Sequence, residues 1–524
     1  MTKSGLDEKG SSRRSFLKRF TAAASFAAMQ PTLINDAKPV GRALATNLHS
    51  KIVATQAQPN KRFVAIQVGA VSFVDEGVEQ VLDLLQEKGR INALLLAVFT
   101  YGRGIAGRQI PGQPLPDHGV QKYDADTFHG GSYAELHPQF YDQTILKNLR
   151  APDLGNFDLL AAVIPKAKAR QMQSYCWLED VYNPRLIPGF EKVAEVDIYG
   201  RRTGEACFNN PEVRSFLNSL VEDYVKSYEV DGVMWGSERQ GPLNNAIGSR
   251  HGGFNGRAQI TCFCQHCRVK GRRRGIDVER ALQGFVELDK FVRSAWGDQR
   301  PSDGYFVTFW RLLLNYPEIL AWEKFWTDSQ QEIYGEIYGT LKAINNKIQV
   351  GWHIWHNNSF SPFYRAEQDY SKLRQTSDFL KVVMYNNCGG PRLAQYMKNV
   401  HSTIFRDSKP EEAMKLQYRM MGYGDEPSFD KLPTVGLSAD YVARETRRAI
   451  QGVRGEVAIY PGIDLDIPTD KSEKKTEPAD VNAAVKAAFN AGAAGVILSR
   501  KYSEMKLTNL AAAGEAVKEM GMRQ

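Results

Sequence analysis

The chain contains no apolar run near the ~20 residues that a membrane-spanning helix needs. Its most apolar N-terminal stretch, residues 21–29, is short and rich in alanine, which excludes a stable span there. No glycine-rich nucleotide fingerprint follows the first strand-like segment, which weighs against a dinucleotide-binding fold. Strong charge of one sign is also missing. The formal charge is +8, but residues 1–45 hold eight Lys/Arg against three Asp/Glu, leaving +3 for the rest. That balance, with no interleaving of basic and aromatic residues, gives no nucleic-acid partner. Internal repeats and low-complexity domains are absent. Cysteine is scarce at six residues in 524, and none lies near residue 45, which argues against a lipid anchor.

What is present is ordinary globular composition, 43% hydrophobic and 24% charged, with a generous 10% aromatic share. The length suits one large core, with or without a small further domain. Aromatic richness fits either stacking surfaces or a large core. The N-terminus reads Ser12-Arg13-Arg14-Ser15-Phe16-Leu17-Lys18, then the weakly apolar stretch, then Ala43-Leu44-Ala45 as a small-x-small cleavage site. This resembles a twin-arginine signal peptide over residues 1–45. It implies passage of the folded chain through the twin-arginine translocase, to a periplasmic or secreted location. Residues 46–61 read as a polar linker, and 62–524 as the catalytic domain.

From residue 63, eight strand-like runs alternate with amphipathic helices. The runs are Phe63–Val68, Ala93–Thr100, Gln173–Leu178, Gly232–Trp235, Ile348–Ile354, Leu380–Tyr385, Val457–Tyr460 and Gly495–Ser499. Several are nearly continuous in apolar residues, as strands covered on both faces should be. The clearest helix is Pro211–Tyr228, with Asn210 as N-cap and Pro211 at its first position. Residues 311–347 read as a long helical stretch interrupted at Pro317. Eight alternations predict a (β/α)8 barrel, with a doubly wound sheet as the alternative. Long inserts near 101–157, 239–310 and 386–440 follow strands two, four and six, on the C-terminal rim where barrel active sites form.

Polar and aromatic residues collect at these strand ends, a pattern suited to a polyol. Glu238 follows strand four in Trp235-Gly236-Ser237-Glu238-Arg239, placed for acid/base work on a glycosidic oxygen. The alternative is a surface ion pair. Strand seven continues into Asp464-Leu465-Asp466, offering Asp464 and Asp466 as the second carboxylate, with Asp464 nearer the strand. Glu179 and Asp180, after strand three, are rivals. Tyr101, Arg103, Trp235, Arg239, His353, Trp355, Tyr385 and Arg500 are expected to contact substrate. A two-histidine metal site from His353 and His356 lacks a third ligand nearby in sequence.

Cys262, Cys264 and Cys267 form C-x-C-x-x-C, three thiols from one turn of chain. Zinc takes four tetrahedral ligands, so a fourth would come from Cys207 or His266. Disulfides are the competing reading, but bridges between cysteines two or three residues apart are awkward. Four thiolates leave no open position, so such a site is structural. The basic run 268–274 reads as a solvated helix face.

The order Cys207-Phe-Asn-Asn-Pro211, amphipathic helix, strand ending in an acid, then C-F-C-x-x-C and a basic helix resembles glycoside hydrolase family forty-two. The resemblance covers about residues 207–275 in detail. It implies a (β/α)8 retaining β-galactosidase, Glu238 as general acid/base, and Cys207, Cys262, Cys264 and Cys267 around one structural zinc. The chain departs from the family at Ser237, where the family has Asn. It departs again at strand seven, where the family has a nucleophilic Glu and this chain offers only Asp464 and Asp466. No length remains after the barrel for the family's later domains. The expectation is therefore a divergent glycoside hydrolase using two carboxylates. The alternatives are a non-hydrolytic sugar-binding barrel and a lyase or isomerase using the strand-five histidines.

Overall fold

The computed structural model describes residues 62–100, 107–124 and 130–521. The signal peptide, the linker up to residue 61, and the expected substrate contacts Tyr101 and Arg103 lie outside the described residues.

Eight parallel strands close into a barrel: β1 (Phe63–Val68), β2 (Ala93–Thr100), β3 (Gln173–Glu179), β4 (Gly232–Gly236), β5 (Gln349–Ile354), β6 (Phe379–Val383), β7 (Ala458–Asp464) and β8 (Gly495–Ser499). Each pairs with the next, and β1 pairs with β8 as well as β2, so no open edge remains in the ring. The register runs Ala65↔Ala93 on one side of β1 and Phe63↔Gly495 on the other. The (β/α)8 expectation holds.

The period of two along each strand sorts its side chains. Ala65, Leu95, Tyr175, Trp177, Met234, Phe379 and Ile497 fill the barrel interior. The alternate set, including Ile66, Leu94, Trp235, Trp352 and Val382, packs outward against the helices. Tyr334, on helix Glu318–Ile344, stacks on Trp352 at 4.5 Å and meets Trp235 edge-on at 5.4 Å. Such aromatic contacts each contribute about 0.5–1.5 kcal/mol beyond area burial.

Local signals were accurate where caps were present. Helix Pro211–Ser227 begins with Asn210 accepting from the Glu212 N–H at 2.9 Å and Pro211 in its first turn. The long helical stretch does break at Pro317, into Tyr305–Asn315 and Glu318–Ile344. Strand seven differs from expectation. Pro461 does not end it, and pairing with β6 and β8 carries it on to Asp464. Asp464 is thus the last residue of a strand rather than part of a loop beyond it.

The insert after β4 builds a second core from helices Val278–Trp296, Tyr305–Asn315 and the start of Glu318–Ile344. Phe263 stacks on Trp322 within it at 4.8 Å. The basic run forms helix Gln265–Arg273, whose Lys270 pairs with Glu332, as does Arg274 just beyond it. Among the described residues, no helix is long and apolar enough to cross a membrane.

Candidate active site and cysteine cluster

At the C-terminal mouth of the barrel the interior turns polar. Gln67, Glu179, His353, Lys381 and Ser499 each lie two residues beyond an interior position and continue the inward phase of β1, β3, β5, β6 and β8. Glycine makes room for two of them. A Cβ on Gly236 would lie 2.9 Å from Cβ of His353, and one on Gly462 would lie 2.7 Å from Cε of Lys381.

A cavity of about 110 Å³ opens here, lined by Trp177, Glu179, Asp180, Glu205, Glu238, Arg239 and His353. A wider cleft of about 420 Å³ shares Glu205, Glu238 and Arg239 with it and runs past Trp355 and Arg250. Four carboxylates line the smaller cavity. Asp180 and Glu205 flank Arg239 at 2.8 and 3.7 Å, with Glu205 pushed up to about 7 by burial. Glu179 and Glu238 come from neighbouring strands and have pKa values displaced in opposite directions. Glu179 accepts a hydrogen bond from Thr100. Burial raises its pKa, and the opposing pull of Lys501 does not cancel that rise. The Glu238 side chain is 58% exposed to the cleft, with Oε1 3.1 Å from Nε2 of His353. Burial is the largest influence and penalises the charged form, but the His353 hydrogen bond and the positive surroundings, Arg392 among them, together outweigh it and hold the pKa below the ordinary value.

His353 is 7% exposed. Burial and then the charge of Lys381 pull its pKa down to about 4, so the ring is neutral at pH 7. It therefore acts on Glu238 through an N–H rather than through charge. Behind it, Lys381 has no exposed surface. Its Nζ lies 3.1 Å from Gln67 Oε1, 3.2 Å from His353 Nδ1 and 2.8 Å from Tyr385 Oη. Burial lowers the ammonium to about 7.

Of the expected site residues, Glu238, Arg239 and His353 line this cavity, and Trp355 lines the wider cleft. Arg239 is anchored in place by Asp180 at 2.8 Å and Glu195 at 2.5 Å, and its guanidinium covers the Phe208 ring. Tyr385 is buried as an acceptor for Lys381, and Arg500 pairs with Glu504 at 2.5 Å. Trp235 is corrected: Met234 and Gly236 hold the inward phase of β4, so Trp235 points outward into the core against Phe208 and Tyr334. The structure does not bring Asp464 or Asp466, the expected second carboxylates, to the cavity of Glu238. Asp464 has no exposed surface and accepts from the N–H groups of Cys388 at 2.8 Å and Asn387 at 3.3 Å. Asp466, at φ 54°, accepts from Lys506 N–H and from Asn509 at the head of the last helix. Both rivals, Glu179 and Asp180, reach the cavity, with Asp180 engaged by Arg239 at 2.8 Å and Ser237 at 2.9 Å. Lys381 and Gln67 were missed. The available signal was a polar residue in the inward phase of an otherwise apolar strand.

The four cysteines converge at the head of helix Pro211–Ser227. Their sulfurs all lie within 4.8 Å of one another, with Cys207 3.4 Å from Cys264 and 3.5 Å from Cys267. None is in a disulfide. Val196 N–H and Cys264 N–H point at Cys262 Sγ, and Asn209 donates to Cys207 and Cys267. Four sulfurs at this spacing, surrounded by N–H donors, could hold a metal ion, and the donor set suits zinc. His266 is not part of the cluster.

No family model matches the sequence, and no curated protein matches it. Solved structures similar to it include a β-galactosidase from the haloarchaeon Halorubrum lacusprofundi, at 14% identity and TM-score 0.49, over 88% of this chain and 58% of that one. A β-galactosidase from Marinomonas ef1 is similar at 10% identity and TM-score 0.48, over 88% of this chain and 61% of that one. The PgaB (BpsB) glycoside hydrolase domain from Bordetella bronchiseptica is similar at 11% identity and TM-score 0.46, over 89% of this chain and all of that domain. The chain thus spans less than two thirds of the length of either β-galactosidase.

Proposed function

We propose that this protein is a glycoside hydrolase that works with two carboxylates, Glu179 and Glu238, at the mouth of a (β/α)8 barrel. The observation that carries the reading is that both face one cavity with pKa values displaced in opposite directions. Glu179, raised by burial, is the proton donor to the glycosidic oxygen. Glu238, held ionised by the His353 N–H, attacks the anomeric carbon or takes a proton from water. This exchanges the roles that the family resemblance implies, in which Glu238 is the acid/base. Trp355 in the adjoining cleft offers a stacking face for a further sugar ring.

The cysteine cluster is read as a structural zinc site, with Cys207, Cys262, Cys264 and Cys267 as its ligands. The twin-arginine signal would carry the folded, metal-loaded chain to the periplasm, where unprotected thiols oxidise. Replacement of Glu238 by Gln tests the hydrolytic reading. It should abolish turnover of an activated aryl glycoside while leaving the circular dichroism spectrum unchanged. Turnover like that of the wild type would remove Glu238 from the mechanism. Retained sugar binding with no hydrolysis by the wild type, across a glycan panel, would make the protein a binding barrel instead.

A further inference from the structure

Lys381 is a charged side chain with no exposed surface in the centre of the barrel. Among the described residues, no carboxylate lies within ion-pair distance of its ammonium. An ammonium has three N–H donors and no acceptor. Lys381 spends all three on neutral atoms: Gln67 Oε1 from β1, His353 Nδ1 from β5 and Tyr385 Oη from the turn after β6. Gln67 Oε1 is itself steadied by Ser499 Oγ of β8 at 2.6 Å. An unpaired buried charge is costly, so an arrangement that solvates it with three placed dipoles calls for a role.

The donor inventory supplies one. Because the ammonium can only donate, Nδ1 of His353 must accept. The neutral ring then carries its single proton on Nε2, the atom 3.1 Å from Glu238 Oε1. A carboxylate oxygen can only accept, so every contact from Lys381 through His353 to Glu238 is satisfied in one direction.

We propose that Lys381 is a positioning residue for Glu238: by donating from Nζ to Nδ1 of His353 it fixes that ring as the Nε2–H tautomer and so maintains the hydrogen bond to the Glu238 carboxylate.

The chain gives this arrangement a pH sensitivity. Burial lowers Lys381 to about 7. The groups facing it are Gln67 on β1, Glu179 on β3, Glu238 after β4, His353 on β5, Tyr385 after β6, Gly462 on β7, Ser499 on β8 and Arg392 on the helix after β6. Glu238 and Glu179 favour its charge and Arg392 opposes it. Below about pH 7 the ammonium imposes the tautomer. Above it the neutral amine can accept as well as donate, Nδ1–H becomes an allowed form, and Nε2 then presents a lone pair to the Glu238 carboxylate.

The test reads the ring directly, using protein labelled with ¹⁵N at histidine, with His353→Gln to assign the signal. At pH 6 the wild type should show His353 protonated at Nε2 alone, and Lys381→Met should show both tautomers. A wild-type ring protonated at Nδ1, or a Lys381→Met ring unchanged from wild type, would overturn the proposal. This arm does not depend on hydrolase activity. A second arm rests on the hydrolase reading. Lys381→Met should lower kcat about tenfold or more, part of the roughly 10²–10⁴-fold that a placed acid or base contributes, leave KM within about twofold, and shift the alkaline limb away from pH 7. Gly462→Ala, which displaces Cε of Lys381 while keeping the amine, should lower kcat in the same way. A Lys381→Met variant that retains wild-type kcat and its alkaline limb would also overturn the proposal. Absence of hydrolysis in the wild type would remove the hydrolase reading and leave the tautomer result standing.

Discussion

His353 presents Nε2 to Glu238 Oε1 at 3.1 Å from a position almost sealed from solvent, while Glu238 itself stands open to the cleft. The buried partner is the neutral ring and the accessible partner is the carboxylate. Glu238 is therefore prepared as an ionised, oriented oxygen at the barrel mouth, a state suited to attack or to base catalysis.

Removal of that N–H should move the acid side of the pH profile. The hydrogen bond is the largest of the contacts that together hold Glu238 below its ordinary pKa against burial, so the ionised form persists well into the acid range in the wild type. In His353→Gln the pKa rises toward the ordinary carboxylate value, and the acid limb of kcat/KM shifts to higher pH. A pH series of kcat/KM from pH 3 to 7 checks this, and an unmoved limb would count against the pairing.

Asp464 is expected to be structural. Asp464→Ala leaves the Asn387 and Cys388 N–H groups unpaired in a buried place, at a cost of about 1–3 kcal/mol. Chemical denaturation should show that loss, and kcat at a temperature where the variant is folded should stay within about threefold of wild type, far above what loss of a nucleophile leaves. A collapse of kcat without a stability loss would return Asp464 to the mechanism.

Trp235 makes a parallel case. Trp235→Ala removes a large side chain packed against Phe208 and Tyr334, and should cost about 3–5 kcal/mol in denaturant unfolding. KM for an aryl glycoside should not change, whereas a raised KM with unaltered stability would place Trp235 on the substrate.

The cysteine cluster should bind one zinc per chain by elemental analysis. Cys264→Ser should lose the metal and lower Tm by roughly 5 °C or more, since binding energy at a structural site is folding energy. The helices packed around Phe263 and Trp322 should lose hydrogen-exchange protection first, because the cluster ties that insert to the head of helix Pro211–Ser227. A metal-free wild type of equal stability would exclude the site.

Much of this architecture was legible in the sequence because single local signals were strong. Apolar runs gave all eight strands, Asn210-Pro211 gave a helix start, and C-x-C-x-x-C with Cys207 gave the cluster. The site was only half legible. Glu238 and His353 follow from their places at strand ends, but Trp235 was assigned to substrate although it lies one residue out of phase with the barrel interior. The extent of strand seven is not legible locally, because pairing with β6 and β8 carries it past Pro461 to Asp464. Lys381 left only a faint trace, one charge inside an apolar run. Its meaning depends on three acceptors drawn from positions far apart in the chain, and only the folded barrel brings them together.

The division of labour between Glu179 and Glu238 is tested most directly by leaving-group dependence. Rates of Glu179→Gln and Glu238→Gln should be measured on aryl glycosides whose phenols span a wide range of basicity. A proton donor matters only when the leaving group is basic. Glu179→Gln should therefore approach wild-type rates on the most acidic phenols and fall away steeply on basic ones, while Glu238→Gln stays inactive on all of them. The reverse pattern, with Glu238→Gln recovering on acidic phenols and Glu179→Gln inactive throughout, would contradict this account.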